Sequence, residues 1–335
     1  MDASEDELVA AIRRVVSGGP GVVVGIGDDA AVVETGRGAL VLTSDVLVEG
    51  VHFSRGAVSA RDLGYKAIVV SVSDIAAMAA SPRYALVSLA LPTDVEERWV
   101  IELYGGMRTA CDEYALSLVG GDLSRAVEVF VAVTVAGEVA PGCATRRAGA
   151  HPGDRLVVTG SLGASAGGLA LSMARGPGVK VSALLGTKWA RDLLAVHYRP
   201  VARVGEAMTL AMSGATAMMD VSDGLAKDLS RLCVESGVGA RLELARVPVS
   251  PSLAHLAEAL GLDELELALS GGEDYELLAA MPAEAVEGAR RELSEVFGVS
   301  LTEVGEITPE GLVAVDADGT ERPLEPRGWD HFSRE

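Results

Sequence analysis

Four apolar, strand-length runs in this chain lead into an aspartate set against glycine or serine, and a fifth acid stands in the same setting just ahead of a strand. Val22-Val23-Val24 leads into Gly25-Ile26-Gly27-Asp28-Asp29-Ala30-Ala31, and Ala39–Thr43 into Ser44-Asp45. Leu116–Val119 leads into Gly120-Gly121-Asp122, and Ala215–Met219 into Asp220-Val221-Ser222-Asp223-Gly224. Ser270-Gly271-Gly272-Glu273-Asp274 precedes the apolar run Tyr275–Ala280. Any one of these is an ordinary turn, because Gly and Asp are turn residues. Repeated, they constrain the architecture: carboxylates at strand C-termini converge at one end of a sheet, where α/β proteins hold their ligands. Asp28 and Asp29 pose the problem locally, since adjacent carboxylates raise each other's pKa unless a cation sits between them. Gly25–Ala31 reads either as an Asx-type hairpin turn or as one wall of a cation site.

The rest of the chain alternates strand and helix. An opening helix over Ser4–Val16 carries a Ser4/Glu7 capping box. A long helix is expected over Ser59–Ala80, where Ala, Leu and Ile recur at helical spacing around Lys66, Ser71, Ser73 and Asp74. Asp74 on that apolar surface calls for a cation or a strong donor, because a buried unpaired carboxylate is costly. A strand at Arg83–Leu91, a helix at Asp94–Tyr114 and a β-branched strand at Val127–Val139 complete a first unit. Pro141-Gly142 then punctuates the chain, so the boundary is expected at residues 140–150, dividing it into domains 1–140 and 150–335. The second unit opens with strand Arg155–Thr159 and a small-residue loop, Gly160–Gly168, entering a helix. Residues 174–188 read as a surface loop. Asp220 and Asp223 either cap the helix beginning at Leu225, with Ser222 or Asp223 as the cap, or serve a cation, and a turn of this kind can do both.

Composition narrows the function classes. The chain has 335 residues, enough for two cores, and with 49% hydrophobic but 4% aromatic residues those cores must be built of Ala, Val and Leu. A formal charge of −20 argues against nucleic acid and against anionic membrane surfaces. No apolar run is long enough to span a bilayer, and the acidic N-terminus lacks the basic region of a secretory signal. Cys111, Cys143 and Cys233 form neither a disulfide framework nor a metal knuckle, which points to a reduced, cytoplasmic protein. Lys66, Lys180, Lys188 and Lys227 are the whole lysine complement, so phosphate handling here would fall to metal ions and selected arginines.

Hard oxygen ligands suit Mg²⁺ rather than zinc, and Mg²⁺ takes one or two protein carboxylates while substrate phosphate and water fill its remaining positions. Scattered strand-end aspartates are what a metal–nucleotide site requires. The sequence contains no P-loop, no protein-kinase signature and no nucleophile elbow. Gly163–Gly168 lacks dinucleotide spacing and reads as a helix N-terminus able to approach phosphate. His52 and His151 are open between loop and functional roles.

Taken together, these residues resemble a known family. Gly25–Ala31, Thr43-Ser44-Asp45 with Glu49–Phe53, Asp62–Ala67, Ser73–Met78, Gly120–Asp122, Arg147 with Gly149-Ala150, Pro152–Asp154, Asp220–Gly224, Ser270–Glu276 and the terminal Gly328-Trp329-Asp330-His331-Phe332 are similar, in order, to the motifs of the thiamine-monophosphate kinase family. The resemblance implies an α/β (α+β) two-domain fold of the aminoimidazole-ribonucleotide synthetase-like ATP-binding superfamily. In that fold an N-terminal mixed sheet with helices dimerises, a C-terminal α/β domain follows, and the active site lies between them. It also implies ATP and thiamine monophosphate as substrates and several Mg²⁺ ions. Carried over by motif, Asp29, Thr43, Ser44, Asp45, Asp74, Asp122, Asp220 and Asp223 hold magnesium. Gly121, Asp122, Arg147 and Ser222 contact ATP, with Tyr104 beside the nucleotide and Arg146 the alternative to Arg147. His52, Glu273 and Trp329 line the thiamine monophosphate pocket, where a Trp can stack on a cationic ring.

The expected reaction is direct γ-phosphoryl transfer to give thiamine diphosphate, the last step of its biosynthesis. The acceptor phosphate is already ionised, so no side-chain nucleophile is needed. Rival readings are other superfamily members. A selenophosphate synthetase is expected to carry a reactive Cys near its start, whereas the first here is Cys111. A hydrogenase-maturation dehydratase is expected to end in a cysteine-bearing tail, whereas this chain ends Arg334-Glu335. An aminoimidazole-ribonucleotide synthetase is disfavoured by the His52, Glu273 and Trp329 contexts. A non-catalytic metal- or nucleotide-binding relative should have lost a ligand from an acid motif, and none is lost.

Overall fold

The computed structural model describes residues 22–25, 27–35, 38–173 and 184–332. The opening helix expected over Ser4–Val16 and most of the loop expected at 174–188 lie outside them. Two sheets organise the described chain. The first has the order β1-β2-β3-β6-β4-β5, with β1 Val22–Val24, β2 Ala31–Glu34, β3 Ala39–Val48, β4 Ser81–Leu91, β5 Ser117–Arg125 and β6 Phe130–Val139. The second has the order β13-β12-β9-β11-β7-β10-β8. Its strands are β7 Arg155–Thr159, β8 Ala217–Asp220, β9 Gly239–Glu243, β10 Leu277–Met281, β11 Leu301–Thr308, β12 Leu312–Val315 and β13 Glu321–Pro323. Pairing is antiparallel except for β4/β5 and β9/β12.

That pairing corrects one expectation. In an antiparallel sheet strand C-termini alternate between the two ends, so strand ends alone cannot gather the acids. Two strands also run through residues expected to end them. β3 pairs with β6 over ten residues, from Ala39↔Val139 to Val48↔Phe130, and carries Thr43, Ser44 and Asp45 within it. β5 likewise continues through Gly120-Gly121-Asp122 to Arg125 along β4. Continuous ladder partners override the local turn character of Ser, Asp and Gly.

The gathering element is a helix. α1, Ala60–Ala77, starts at the Ser59 N-cap, whose hydroxyl accepts the Asp62 N–H. Leu63, Ile68, Val72 and Ile75 enter the core of the first sheet with Val41, Val87, Val131 and Val133. Ala76, Ala77 and Ala79 enter a second core with Val157, Met218 and Leu277 of the other sheet. The helix ends small because two sheets close on it from opposite sides. α2, Glu97–Glu113, crosses α1 with backbones nearly touching: a Cβ on Gly64 would lie 1.9 Å from the Leu103 carbonyl oxygen, and one on Gly106 1.8 Å from that of Arg61.

The second half also carries α3 Ala164–Met173, α4 Lys188–Tyr198, α5 Val204–Met212, α6 Leu225–Ser236, α7 Pro251–Leu260, α8 Glu264–Ser270 and α9 Ala283–Phe297. Of these, α5, α6, α8 and α9 share cores with the second sheet, whereas α3, α4 and α7 pack on one another. Among the described residues no helix is long and apolar enough to cross a membrane.

Candidate active site between the two sheets

Three carboxylates from three separate elements meet where α1 joins the sheets. Oxygens of Asp29, in the turn before β2, Asp74, on α1, and Asp220, at the end of β8, all lie within 4.8 Å of one another. Thr43 and Asp45 share the face of β3 turned to α1: the Thr43 hydroxyl donates to Asp74 Oδ2 at 2.5 Å, and the Ser71 hydroxyl to Asp45 Oδ2 at 2.7 Å. Ser73 of the same helix reaches across the boundary and donates to Asp220 Oδ2 at 2.5 Å. Ser44 faces the other way on the pleat, its hydroxyl paired with Thr134 at 3.0 Å, so the hydroxyl does not enter this cluster.

The electrostatics are those of a cation site. Burial, followed by the charges of Asp45, Asp220 and Asp29, pushes the Asp74 carboxyl well above the carboxylate range. Burial and then Asp29 do the same to Asp220, and burial raises Asp45. The Arg147 guanidinium sits 2.6 Å from Asp29 Oδ1. Burial pulls its pKa down, and Asp29 more than offsets this and keeps it charged. Even so, Asp29 Oδ2 and Asp220 Oδ1 remain buried without a hydrogen-bond partner. Unpaired buried carboxylate oxygens are expensive. An all-oxygen donor set with free lone pairs, on three convergent acids, fits a hard divalent cation such as Mg²⁺. Of the two candidate arginines, Arg147 enters this cluster, while Arg146 contributes its backbone carbonyl to the Met218 N–H.

Asp28 does different work from Asp29. Its carboxylate accepts the backbone N–H groups of Asp29 and Arg147 at 2.9 and 3.2 Å, tying the turn to the segment after β6; burial and Asp29 push its pKa to about 6.

The Asp220–Gly224 turn is held from within α6. Asp228 accepts the N–H groups of Ser222, Asp223 and Gly224 at 3.0, 3.0 and 3.1 Å. That corrects the expected capping by Ser222 or Asp223: Gly224 is the N-cap and makes no side-chain cap, and a residue of the first turn reaches back instead. Asp223 pairs with Arg231 at 2.6 Å and Lys227 at 3.3 Å, beside the acid cluster rather than inside it. The small-residue loop before α3 is also committed. Gly163 and Ser165 N–H groups donate to Asp274 at 2.7 and 3.4 Å, so a carboxylate already fills the position considered for phosphate.

The residues expected around the organic substrate do meet. His52 accepts the Val48 N–H on Nδ1 at 3.0 Å, and its ring centroid lies 5.0 Å from that of His331. Trp329 packs edge-on against His331 at 5.6 Å. Glu273 faces them, bridged to Lys66 of α1 at 2.7 Å and to His197 of α4 at 3.3 Å. The chain end is anchored on the acid side of the cleft, with the Trp329 N–H donating to the Asp223 carbonyl at 3.0 Å and Lys227 donating to the Trp329 carbonyl. Gly121 and Asp122 lie on exposed edge strand β5, where a Cβ on Gly121 would fall 1.8 Å from the Val87 carbonyl oxygen. Tyr104 of α2 is half-buried against the first core, and burial raises its pKa.

Sequence reasoning missed Lys66, His197, Asp228 and His331. Lys66 and Asp228 carried a usable signal, a charge on an apolar helix face; His197 carried none.

Comparison with known proteins gives the family. The family model described as AIR synthase related protein, N-terminal domain, matches residues 27–139, and its C-terminal counterpart matches 151–318. The thiamine-monophosphate kinase of Escherichia coli (strain K12) is 37% identical over 337 residues, covering 99% of each chain. That of Aquifex aeolicus is 37% identical over 307 residues, 92% of each chain. A solved structure, AaThiL complexed with AMPPCP and TMP, superposes with a TM-score of 0.85 at 35% identity, covering 98% of this chain and 97% of its own. The chain therefore belongs to the AIR synthase related family and, within it, to the thiamine-monophosphate kinases.

Proposed function

We propose that the protein transfers the γ-phosphoryl group of ATP directly to thiamine monophosphate, giving ADP and thiamine diphosphate. The observation that carries this reading is the convergence of Asp29, Asp74 and Asp220 in a chain whose relative, 35% identical over 98% of its length, binds AMPPCP and TMP together. Both reacting groups are anions, so the barrier is their mutual repulsion and the task is neutralisation and alignment. Asp29, Asp45, Asp74 and Asp220, with Thr43 holding Asp74, would bind Mg²⁺, which supplies charge neutralisation between the two phosphates. Asp122 and Asp223 extend that set towards the nucleotide, whereas Ser44, whose hydroxyl turns to Thr134 on the opposite face of β3, is left out of it.

Arg147 fixes Asp29 and adds a guanidinium on the nucleotide side, where Gly121, Tyr104 and Ser222 complete the ATP contacts. Trp329 supplies a face for the cationic thiamine ring, and His52 and Glu273 orient it. No protein group forms a bond to phosphorus in this scheme. The first sheet supports the homodimer reading. Val46, Tyr84, Leu86 and Phe130 are 45%, 52%, 48% and 38% exposed and share the face turned away from α1. The cysteines are free, which accords with a cytoplasmic enzyme.

The reading is tested by incubating the protein with ATP, thiamine monophosphate and magnesium and separating the products. Thiamine diphosphate and ADP in equal amounts are expected. ADP without thiamine diphosphate, or no reaction with any divalent metal, overturns it.

A further inference from the structure

From Leu63 to its end at Ala77, helix α1 is buried except at Val70 and Asp74. Lys66 continues that spacing backwards, so Lys66, Val70 and Asp74 share one face at i, i+4 and i+8. Eight residues at the helical rise put Lys66 about 12 Å from Asp74 along the axis. Asp74 belongs to the acid cluster, so the other end of this face is marked by a lysine whose side chain is 5% exposed.

Lys66 Nζ lies 2.7 Å from Glu273 Oε1, and His197 Nδ1 lies 3.3 Å from Glu273 Oε2. His197 is itself buried, with the Ser165 hydroxyl at 3.0 Å. Each carboxylate oxygen of Glu273 thus has its own partner, from α1 and from α4, leaving lone pairs for the cleft. The Glu273 backbone is equally constrained, with φ at +66°, a left-handed conformation that a residue with a side chain rarely adopts, and its N–H donating to the Ser222 carbonyl at 2.7 Å. Taking a lysine out of water is unfavourable, and a partner alone rarely recovers that loss. Such a pair calls for a use beyond stability.

We propose that Lys66 and His197 are positioning residues that hold the Glu273 carboxylate in a fixed place, at the far end of the α1 face that carries Asp74. α1 then sets the spacing between the carboxylate that receives the cationic end of the acceptor and the carboxylates that serve its phosphate. This inference rests on the reading of Glu273 as part of the thiamine monophosphate pocket. The local electrostatics agree: burial alone raises the Glu273 carboxyl, and Lys66 and His197 reverse that and bring it to about 2. Burial, helped by Lys66, holds His197 below its ordinary value against the opposing pull of Glu273. His52, Asp274 and Tyr275 also feel the Glu273 charge; His52 is held down by Lys66 as well and is released with Glu273 in Lys66→Met, so His197→Gln is the variant that acts on Glu273 without Lys66 being lost.

The test compares wild type, Lys66→Met, Lys66→Arg and His197→Gln in steady-state assays between pH 5 and 8. The acceptor phosphate ionises in this range in every variant, so the quantity read is the ratio of each variant's KM for thiamine monophosphate to that of wild type. For Lys66→Met a rise of about tenfold at pH 8 is expected, growing further as pH falls because the released Glu273 protonates, with kcat and the KM for ATP within about threefold. Lys66→Arg restores the wild-type profile, and His197→Gln shows a weaker form of the Lys66→Met profile. Should Lys66→Met fail to fold, His197→Gln and Lys66→Arg decide on the same ratio. A ratio independent of pH, or a loss confined to kcat, overturns the clamp while leaving the proposed function intact. A wild-type protein that makes no thiamine diphosphate overturns the function, a distinct result.

Discussion

Arg147 and Asp29 form a buried pair of opposite charges. The Asp29 side chain has no exposed surface and that of Arg147 has 16%. Removing one partner of a buried pair costs about 3–5 kcal/mol, more than the pair itself is worth. Arg147→Met is therefore expected to lower unfolding free energy by about that amount in chelator, with magnesium recovering part of the loss; denaturant titration in both conditions checks it. At Asp45, substitution by Asn keeps shape and the Ser71 hydrogen bond. Turnover should fall by orders of magnitude while the melting temperature stays near wild type; activity within a few-fold of wild type would remove Asp45 from the metal set. Asp274 supplies the pH signature of stability. Burial raises its carboxyl to about 8, above its ordinary value of 3.8. The folded protein then binds a proton that the unfolded chain has lost, so this group's contribution is fully present below pH 3.8 and is lost as pH rises to about 8. Asp274→Asn should flatten that part of the stability profile.

The acids were legible at this scale because a carboxylate beside glycine on an apolar run needs an explanation. Lys66 and Asp228 showed only as charges on apolar helix faces and His197 not at all, because the significance of each is a partner. Lys66 and Glu273 come from opposite halves of the chain, and nothing in the residues around either announces the other.

Elements decide which of these residues meet. α1 is the common member of both cores, and its approach to α2 depends on Gly64 and Gly106 having no side chain. A methyl at Gly64 would stand 1.9 Å from a backbone oxygen, which no rotamer change relieves. Gly64→Ala should therefore destabilise by about 1–3 kcal/mol or more, read as a fall in melting temperature, and should lower activity by displacing Asp74. Helices and strands were legible from their periods, and β2 and β7 fall where their apolar runs do. The ends of β3 and β5 were not, because Ser44-Asp45 and Gly120-Gly121-Asp122 look like turns and are held straight by β6 and β4. That correction matters for the site. The β3 pleat assigns Thr43 and Asp45 to the helix side and Ser44 to the opposite side, a distinction invisible when the strand is ended at Thr43.

At the scale of the molecule, two sheets grip one helix, and the acids stand at the grip. The first sheet turns its apolar outer face to solvent in the single chain, so Leu86→Glu, at the middle of that face, is expected to shift the protein from dimer to monomer in light scattering. The central claim is that this junction moves a phosphoryl group from ATP to a second phosphate with no covalent stop on the protein. It is tested most directly by a single turnover with γ-labelled ATP and thiamine monophosphate, in magnesium and in chelator, sampled in time. Label is expected to pass from ATP to thiamine diphosphate in magnesium alone, with none on the polypeptide at any time. Label trapped on the protein before it reaches thiamine diphosphate, or equal transfer in chelator, would contradict it.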